Sequence, residues 1–175
     1  MSEFLKRERI TTEADAAIWS VNAAVQRNRV YRSDSGREAF RAEWIRMIRE
    51  QSGQYRSASK PISDDAHCKT MALIRDQLTA AFKPLLTDGR LTFGTSQKAF
   101  NLYLKYLWHL GKLPKSAPPP HCPVDRIILT KLGFDESWAK CDDQERYMEW
   151  INAIRLRSNS VHNWEDGVFL RAVSK

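Results

Sequence analysis

The sequence predicts an all-α protein of about seven helices, packed around one central apolar helix in a helix-hairpin-helix-like core, with no sheet. Three observations predict it. Apolar residues recur at three- and four-residue steps almost throughout, and no stretch alternates as a strand does. Helix-start signatures precede the apolar stripes, with Thr12 and Asp15, Ser35 and Glu38, and Asp142 and Glu145 spaced as capping boxes. Residues 96–110 are apolar on nearly every face, as befits the central post of a domain. With 175 residues, 42% of them hydrophobic, the chain can build one domain, or two small helical lobes sharing a core.

The elements follow in order. After Thr12, the residues Ala17, Ile18, Val21, Ala24 and Val25 fall on one face and predict a first helix to about Arg29. After Ser35, a second stripe of Phe40, Trp44, Ile45 and Ile48 runs until Ser52-Gly53 stops it. Residues 54–61 read as a polar loop. Ser63, followed by Asp64 and Asp65 at the positive end of the helix dipole, opens a third helix with Met71, Ile74, Leu78 and Phe82 inward. Lys83-Pro84 and Asp88-Gly89 end it. The central helix carries Phe100, Leu102, Leu104, Leu107, Trp108 and Leu110, and Gly111 suits its C-terminal cap. Residues 112–123, with five prolines, form a stiff connection. Asp125 then caps a short helix with Ile127, Ile128, Leu129 and Leu132, closed by Gly133. Met148, Ile151 and Ile154 mark a sixth helix, and Trp164, Val168 and Phe169 a last one over about 163–172.

Composition narrows the class. Net charge is +7, the excess is mostly arginine, and the sequence pI is about 9.5, a balance that favours a polyanionic partner such as nucleic acid. Cys68, Cys122 and Cys141 form no C-x-x-C pair, so neither a disulfide framework nor a zinc ribbon is indicated. No apolar run approaches the ~18 residues of a spanning helix and no signal segment opens the chain, so the expectation is a cytoplasmic protein without a membrane partner, cofactor or metal.

The stretch from Gly94 to Leu132 concentrates the candidate chemistry. A glycine, a lysine on the first turn of a very apolar helix, and an aspartate opening the next helix after Pro123-Val124 place an amine and a carboxylate at two helix starts. An amine at a partly buried, positive helix end is eased toward its neutral, nucleophilic form. A carboxylate held by backbone donors can stabilise a developing cation. The order Leu91, Gly94, Lys98, Asn101 and Pro123-Val124-Asp125 resembles the helix-hairpin-helix DNA glycosylases. The resemblance covers about 40 residues. It implies Lys98 as the nucleophile that attacks the sugar carbon of a flipped nucleotide, Asp125 as the assisting carboxylate, and backbone N–H groups of Gly94, Thr95 and Ser96 on DNA phosphates. An ordinary surface lysine and an ordinary N-cap would look the same in sequence.

Two further readings stand beside it. Arg157 and His162 give R-x4-H, a spacing that resembles the HEPN ribonucleases, in which arginine and histidine act on the RNA 2′-hydroxyl. The third is a non-catalytic helical binding protein. Arg27, Arg29, Arg32, Arg37, Arg41, Arg46 and Arg49 cluster in the first two helices and their junction, with Arg7 and Arg9 nearby, and Arg41, Arg46 and Arg49 are the foremost nucleic-acid contacts of this face. His67-Cys68 and His121-Cys122 match no zinc-ligand spacing and read as buried thiols.

Overall fold

The computed structural model describes residues 2–26 and 28–172. Among the described residues there are nine α-helices and no strand: α1 Glu3–Glu8, α2 Glu13–Val25, α3 Arg37–Gln51, α4 Gly53–Arg56, α5 Asp64–Phe82, α6 Phe93–His109, α7 Arg126–Leu132, α8 Gln144–Arg155 and α9 Val161–Ala172. Short 3₁₀ turns lie at Thr87–Gly89 and Trp138–Lys140, and one isolated antiparallel bridge joins Tyr31 to Leu86. The all-α class is as the periodicity predicts. Arg27, placed in the basic face by sequence, lies outside the described residues.

Local chemistry explains the helix starts. Thr12 and Asp15 make the predicted reciprocal box, Thr12 Oγ1 accepting from Asp15 N at 3.1 Å and Asp15 Oδ2 from Thr12 N at 3.0 Å. Ser63 caps α5 through Ala66 N, and Asp125 caps α7. Two predicted boxes are replaced. The N-cap of α3 is Gly36, at φ 89°, and no side chain caps it; glycine there turns the chain where a Ser35 cap was expected. The N-cap of α8 is Asp143, because Asp142 is drawn away to accept from Phe93 N and to pair with Arg75 and Arg90. The polar loop expected at 54–61 opens with α4, and α1 precedes the first predicted helix, capped by Ser2.

Helix α6 is the hub. It packs against α1, α2, α3, α5 and the Trp138–Lys140 turn, while α7, α8 and α9 pack on one another. One apolar cluster runs from Phe4 through Trp44, Phe100 and Trp150 to Val168. Each large apolar side chain fully withdrawn from water in it contributes about 1.5–3 kcal/mol before entropy is counted. Every residue of α6 from Phe93 to Leu107 is buried, including Gln97, Lys98, Asn101 and Lys105. Four polar residues on a buried helix must each find partners, and those partners define the interior chemistry.

Candidate functional site

Lys98 and Asp125 meet. Lys98 Nζ lies 2.7 Å from Asp125 Oδ2, with side chains 11% and 20% exposed. The fold brings them together because Gln97, next along α6, holds the segment before α7 by two bonds: its Nε2 donates to Val124 O at 2.7 Å and its Oε1 accepts from Val124 N at 3.2 Å. Asp125 Oδ1 meanwhile accepts from Ile127 N and Ile128 N at 3.0 and 3.2 Å. Burial raises the Asp125 carboxyl, but the Lys98 ammonium and the two backbone donors outweigh it and hold the group below the ordinary carboxylate range. The contact is therefore an ammonium–carboxylate pair. Nucleophilic attack by Lys98 requires both loss of its proton and displacement of Asp125. A cleft of about 520 Å³ beside Trp19 and a cavity of about 400 Å³ beside Trp108 both lie elsewhere, and neither is lined by Lys98 or Asp125.

Gly94, Thr95 and Ser96 are placed differently from the expectation. Gly94 sits inside the first turn of α6, and its N–H donates to Cys141 O at 2.8 Å. A Cβ there would fall 1.7 Å from Trp138 O, so the residue is small because the Trp138–Lys140 turn crosses it. Thr95 N donates to Thr92 Oγ1 at 3.2 Å, Ser96 N to Thr92 O at 3.1 Å, and Phe93 N to Asp142 Oδ1 at 2.9 Å. These N–H groups are consumed inside the protein. A phosphate grip on this helix start finds its donors already occupied and covered.

The arginines are mixed in state. Arg46 is held by Glu43 at 2.7 Å and Glu50 at 2.6 Å on its own helix, and those carboxylates raise its guanidinium further above its usual value. Arg41 Nε donates to Tyr31 Oη at 3.1 Å, and Arg49 is exposed at the end of α3. Arg157 donates to Ala153 O and Leu132 O, whereas His162 is buried with Nε2 2.6 Å from Pro119 O. Burial pushes the His162 imidazole below its ordinary value, despite that carbonyl. The R-x4-H residues thus have separate environments, one on the surface and one in the interior.

Sequence reasoning missed the interior network. Tyr55 Oη lies 2.6 Å from His67 Nδ1, His67 Nε2 2.7 Å from Asn101 Oδ1, and Asn101 Nδ2 2.9 Å from Tyr147 Oη. Tyr147 Oη lies 2.9 Å from His121 Nδ1, and His121 Nε2 3.0 Å from Asp64 Oδ1, which Arg155 also holds. The ends assign the protons. Asp64, kept ionised by Arg155 and then by His121, can only accept, so His121 Nε2 donates and its Nδ1 accepts from the Tyr147 hydroxyl. Asn101 uses its amide nitrogen toward Tyr147, so its oxygen accepts from His67 Nε2 and Tyr55 donates to His67 Nδ1. All these bonds run in one direction, from Tyr55 to Asp64, with both imidazoles neutral. Burial holds His67 well below its ordinary value and His121 below its own. The two rings stand edge to face at 4.6 Å.

A second buried charge lies farther along α6. Lys105, fully buried, pairs with Glu165 and with Asp166 at 2.7 Å, and its ammonium sits 3.8 Å from the Phe4 ring centre. The sequence signal for these buried groups was available: Gln97, Asn101 and Lys105 recur every four residues among the apolar residues of α6, a polar stripe that has to be satisfied internally. Both ring nitrogens of His67 and of His121 are engaged, burial lifts the Cys68 thiol to about 12, and among the described residues no group of three or more His, Cys, Asp or Glu side chains is placed to hold a metal ion. None of the described helices is long and apolar enough to cross a membrane. Comparison with family models, curated proteins and solved structures finds no match to the chain.

Proposed function

We propose that this chain is a nucleic-acid-binding helical protein. The observation that carries the reading is its arginine surface: with a net charge of +7, the arginines of α3 and the segment leading into it include Arg29 and Arg41, which have no carboxylate within ion-pair distance among the described residues. Guanidiniums not spent on acidic neighbours are available to phosphates. The test is binding of labelled DNA and RNA to the full chain across a salt series. Affinity should fall with a log–log slope near the number of phosphates neutralised, and a flat salt response, or no binding at 50 mM salt, refutes the reading.

A second reading, base excision of the helix-hairpin-helix glycosylase type, is favoured by one specific observation, the 2.7 Å contact between Lys98 and Asp125. A Schiff base formed by Lys98 on DNA carrying mixed base lesions is trapped by borohydride as a covalent adduct, and the adduct should vanish in Lys98→Gln. If no adduct forms with the folded wild-type protein on any lesion, the pair ties α6 to α7 and does nothing else. No observation on Arg157 or His162 favours the ribonuclease alternative.

A further inference from the structure

We propose that the cleft between the end of α2 and the start of α3 binds an unstacked nucleotide, its base laid on Trp19 and its phosphate held by Arg29, Arg37 and Arg41. This inference rests on the reading that the chain binds nucleic acid, and it names the site and the form of the ligand.

The cleft is open to solvent and offers about 520 Å³, within the ~300–1,000 Å³ range of small-ligand sites. Its walls carry two aromatic side chains, Trp19 and Tyr31, with three guanidiniums and side-chain amides, and no carboxylate. Trp19 is 50% exposed on α2, although the chain buries Trp44 and Trp150 completely. An indole left half in water at the lip of a cleft offers the surface on which a base stacks. In the same cleft, the guanidiniums of Arg37 and Arg41 lie 4.7 and 5.7 Å from the centre of the Tyr31 ring. Tyr31 Oη also accepts from Arg41 Nε, so the ring and hydroxyl hold two cations in place before a ligand arrives.

The charges are available. Among the described residues no carboxylate lies within ion-pair distance of Arg29 or Arg41, and Arg37 pairs only with Asp34, whose side chain is 91% exposed. An ion pair that exposed yields readily to a phosphate. Asn22 and Gln26 complete the wall with amides that carry both donors and acceptors, the inventory that matches a base edge. Together these features fit a flat, hydrogen-bonding, negatively charged ligand. In a duplex the bases stack on one another and Trp19 is left without a partner, so the cleft selects single strands or free nucleotides.

The experiment uses the full chain at low salt with a fluorescein-labelled 12-nucleotide single strand, the same sequence as duplex, and a mononucleotide as competitor. The single strand should bind more tightly than the duplex and quench part of the tryptophan emission. Trp19→Ala should weaken single-strand binding about tenfold or more and remove the quench, while Trp19→Phe, which also lacks the emitting indole, retains most of the binding. Arg29→Gln with Arg41→Gln should lower the salt slope by about two. Circular dichroism checks that the variants, changed at exposed or half-buried positions, stay folded. Competition by the mononucleotide at comparable affinity assigns the cleft to free nucleotides, and its failure assigns it to strands; either outcome supports the site. Equal binding of single strand and duplex, untouched by Trp19→Ala, overturns the cleft and leaves nucleic-acid binding standing. Displacement by polyglutamate as readily as by the oligonucleotide overturns it as mere charge attraction. Absence of binding to any nucleic acid overturns both.

Discussion

Asp125 divides its two oxygens between two tasks, and substitution separates them. Oδ1 caps α7 through Ile127 N and Ile128 N, while Oδ2 faces Lys98. Asp125→Asn keeps a cap oxygen but leaves the ammonium beside a neutral amide; Asp125→Ala loses both. The cap contributes about 1 kcal/mol. Leaving a nine-tenths buried lysine without its counter-charge costs about 3 kcal/mol, the lower end of the range for broken buried pairs, because solvent still reaches Asp125. Asp125→Asn should therefore destabilise by about 3 and Asp125→Ala by about 4 kcal/mol in guanidinium unfolding followed by circular dichroism. Lys98→Met with Asp125→Asn should fall short of the sum of the single effects by about 2 kcal/mol. Acid adds a second readout. The Asp125 carboxyl is depressed in the folded state, so its contribution is whole above about pH 4, where the unfolded carboxylate is ionised, and is lost as pH falls through the lower folded value. The gap between wild type and Asp125→Asn should close over that window. A coupling below about 0.5 kcal/mol, or a gap indifferent to acid, would refute the argument that the pair holds α6 to α7.

Gly94→Ala should cost more than the ~1–3 kcal/mol of ordinary overpacking, because the added methyl meets the backbone oxygen of Trp138 at 1.7 Å; a melting temperature within a degree of wild type counts against the close approach. Lys105→Met leaves Glu165 buried with no cation and should destabilise by about 3–5 kcal/mol, with Lys105→Met, Glu165→Leu recovering part of the loss; unfolding curves for the two variants decide it. Asn101→Leu strands the His67 Nε2–H in the core, removes the donor to the Tyr147 oxygen, and should cost about 2–4 kcal/mol by the same assay. Because His67 and His121 are both depressed in the folded state, the unfolded chain takes up protons first, so stability is complete above about pH 6.5 and declines by up to ~1.4 kcal/mol per pH unit for each imidazole as pH falls below it. A flat melting temperature between pH 7 and 5 would contradict that assignment.

The helices were legible because each couples an apolar stripe to a start signal, as Thr12, Ser63 and Asp125 show. Besides the short α1 and α4 and the Gly36 start of α3, an error fell where a tertiary partner competes for a cap. Asp142 has the spacing of a box residue, yet Phe93 N, Arg75 and Arg90 claim its oxygens, a demand that comes from residues about fifty positions earlier and leaves no local trace. The same holds for Gly94, whose constraint comes from Trp138 passing overhead. At the candidate site, Lys98 and Asp125 were legible individually as residues at helix starts, but their contact depends on Gln97 binding Val124. The buried histidine network was not legible: the two His-Cys dipeptides give no sign that their rings meet across α6. The cleft residues were hidden for the opposite reason. Trp19 lies on a helix whose apolar residues Ala17, Val21, Ala24 and Val25 form a core stripe, and only the fold shows the ring left outside.

Placing the most enclosed helix in the middle of the chain has a consequence for how the protein is made. During synthesis α6 is complete while some sixty residues, including α7, α8 and α9, are still to come, a delay of about 3–12 s at ordinary elongation rates. Over that interval the buried Lys105 has neither Glu165 nor Asp166 opposite it. The nascent chain passes through a stage with an uncompensated interior charge that ends only when α9 arrives, and truncation within α9 should convert that brief exposure into a lasting one, read as aggregation of the newly made product.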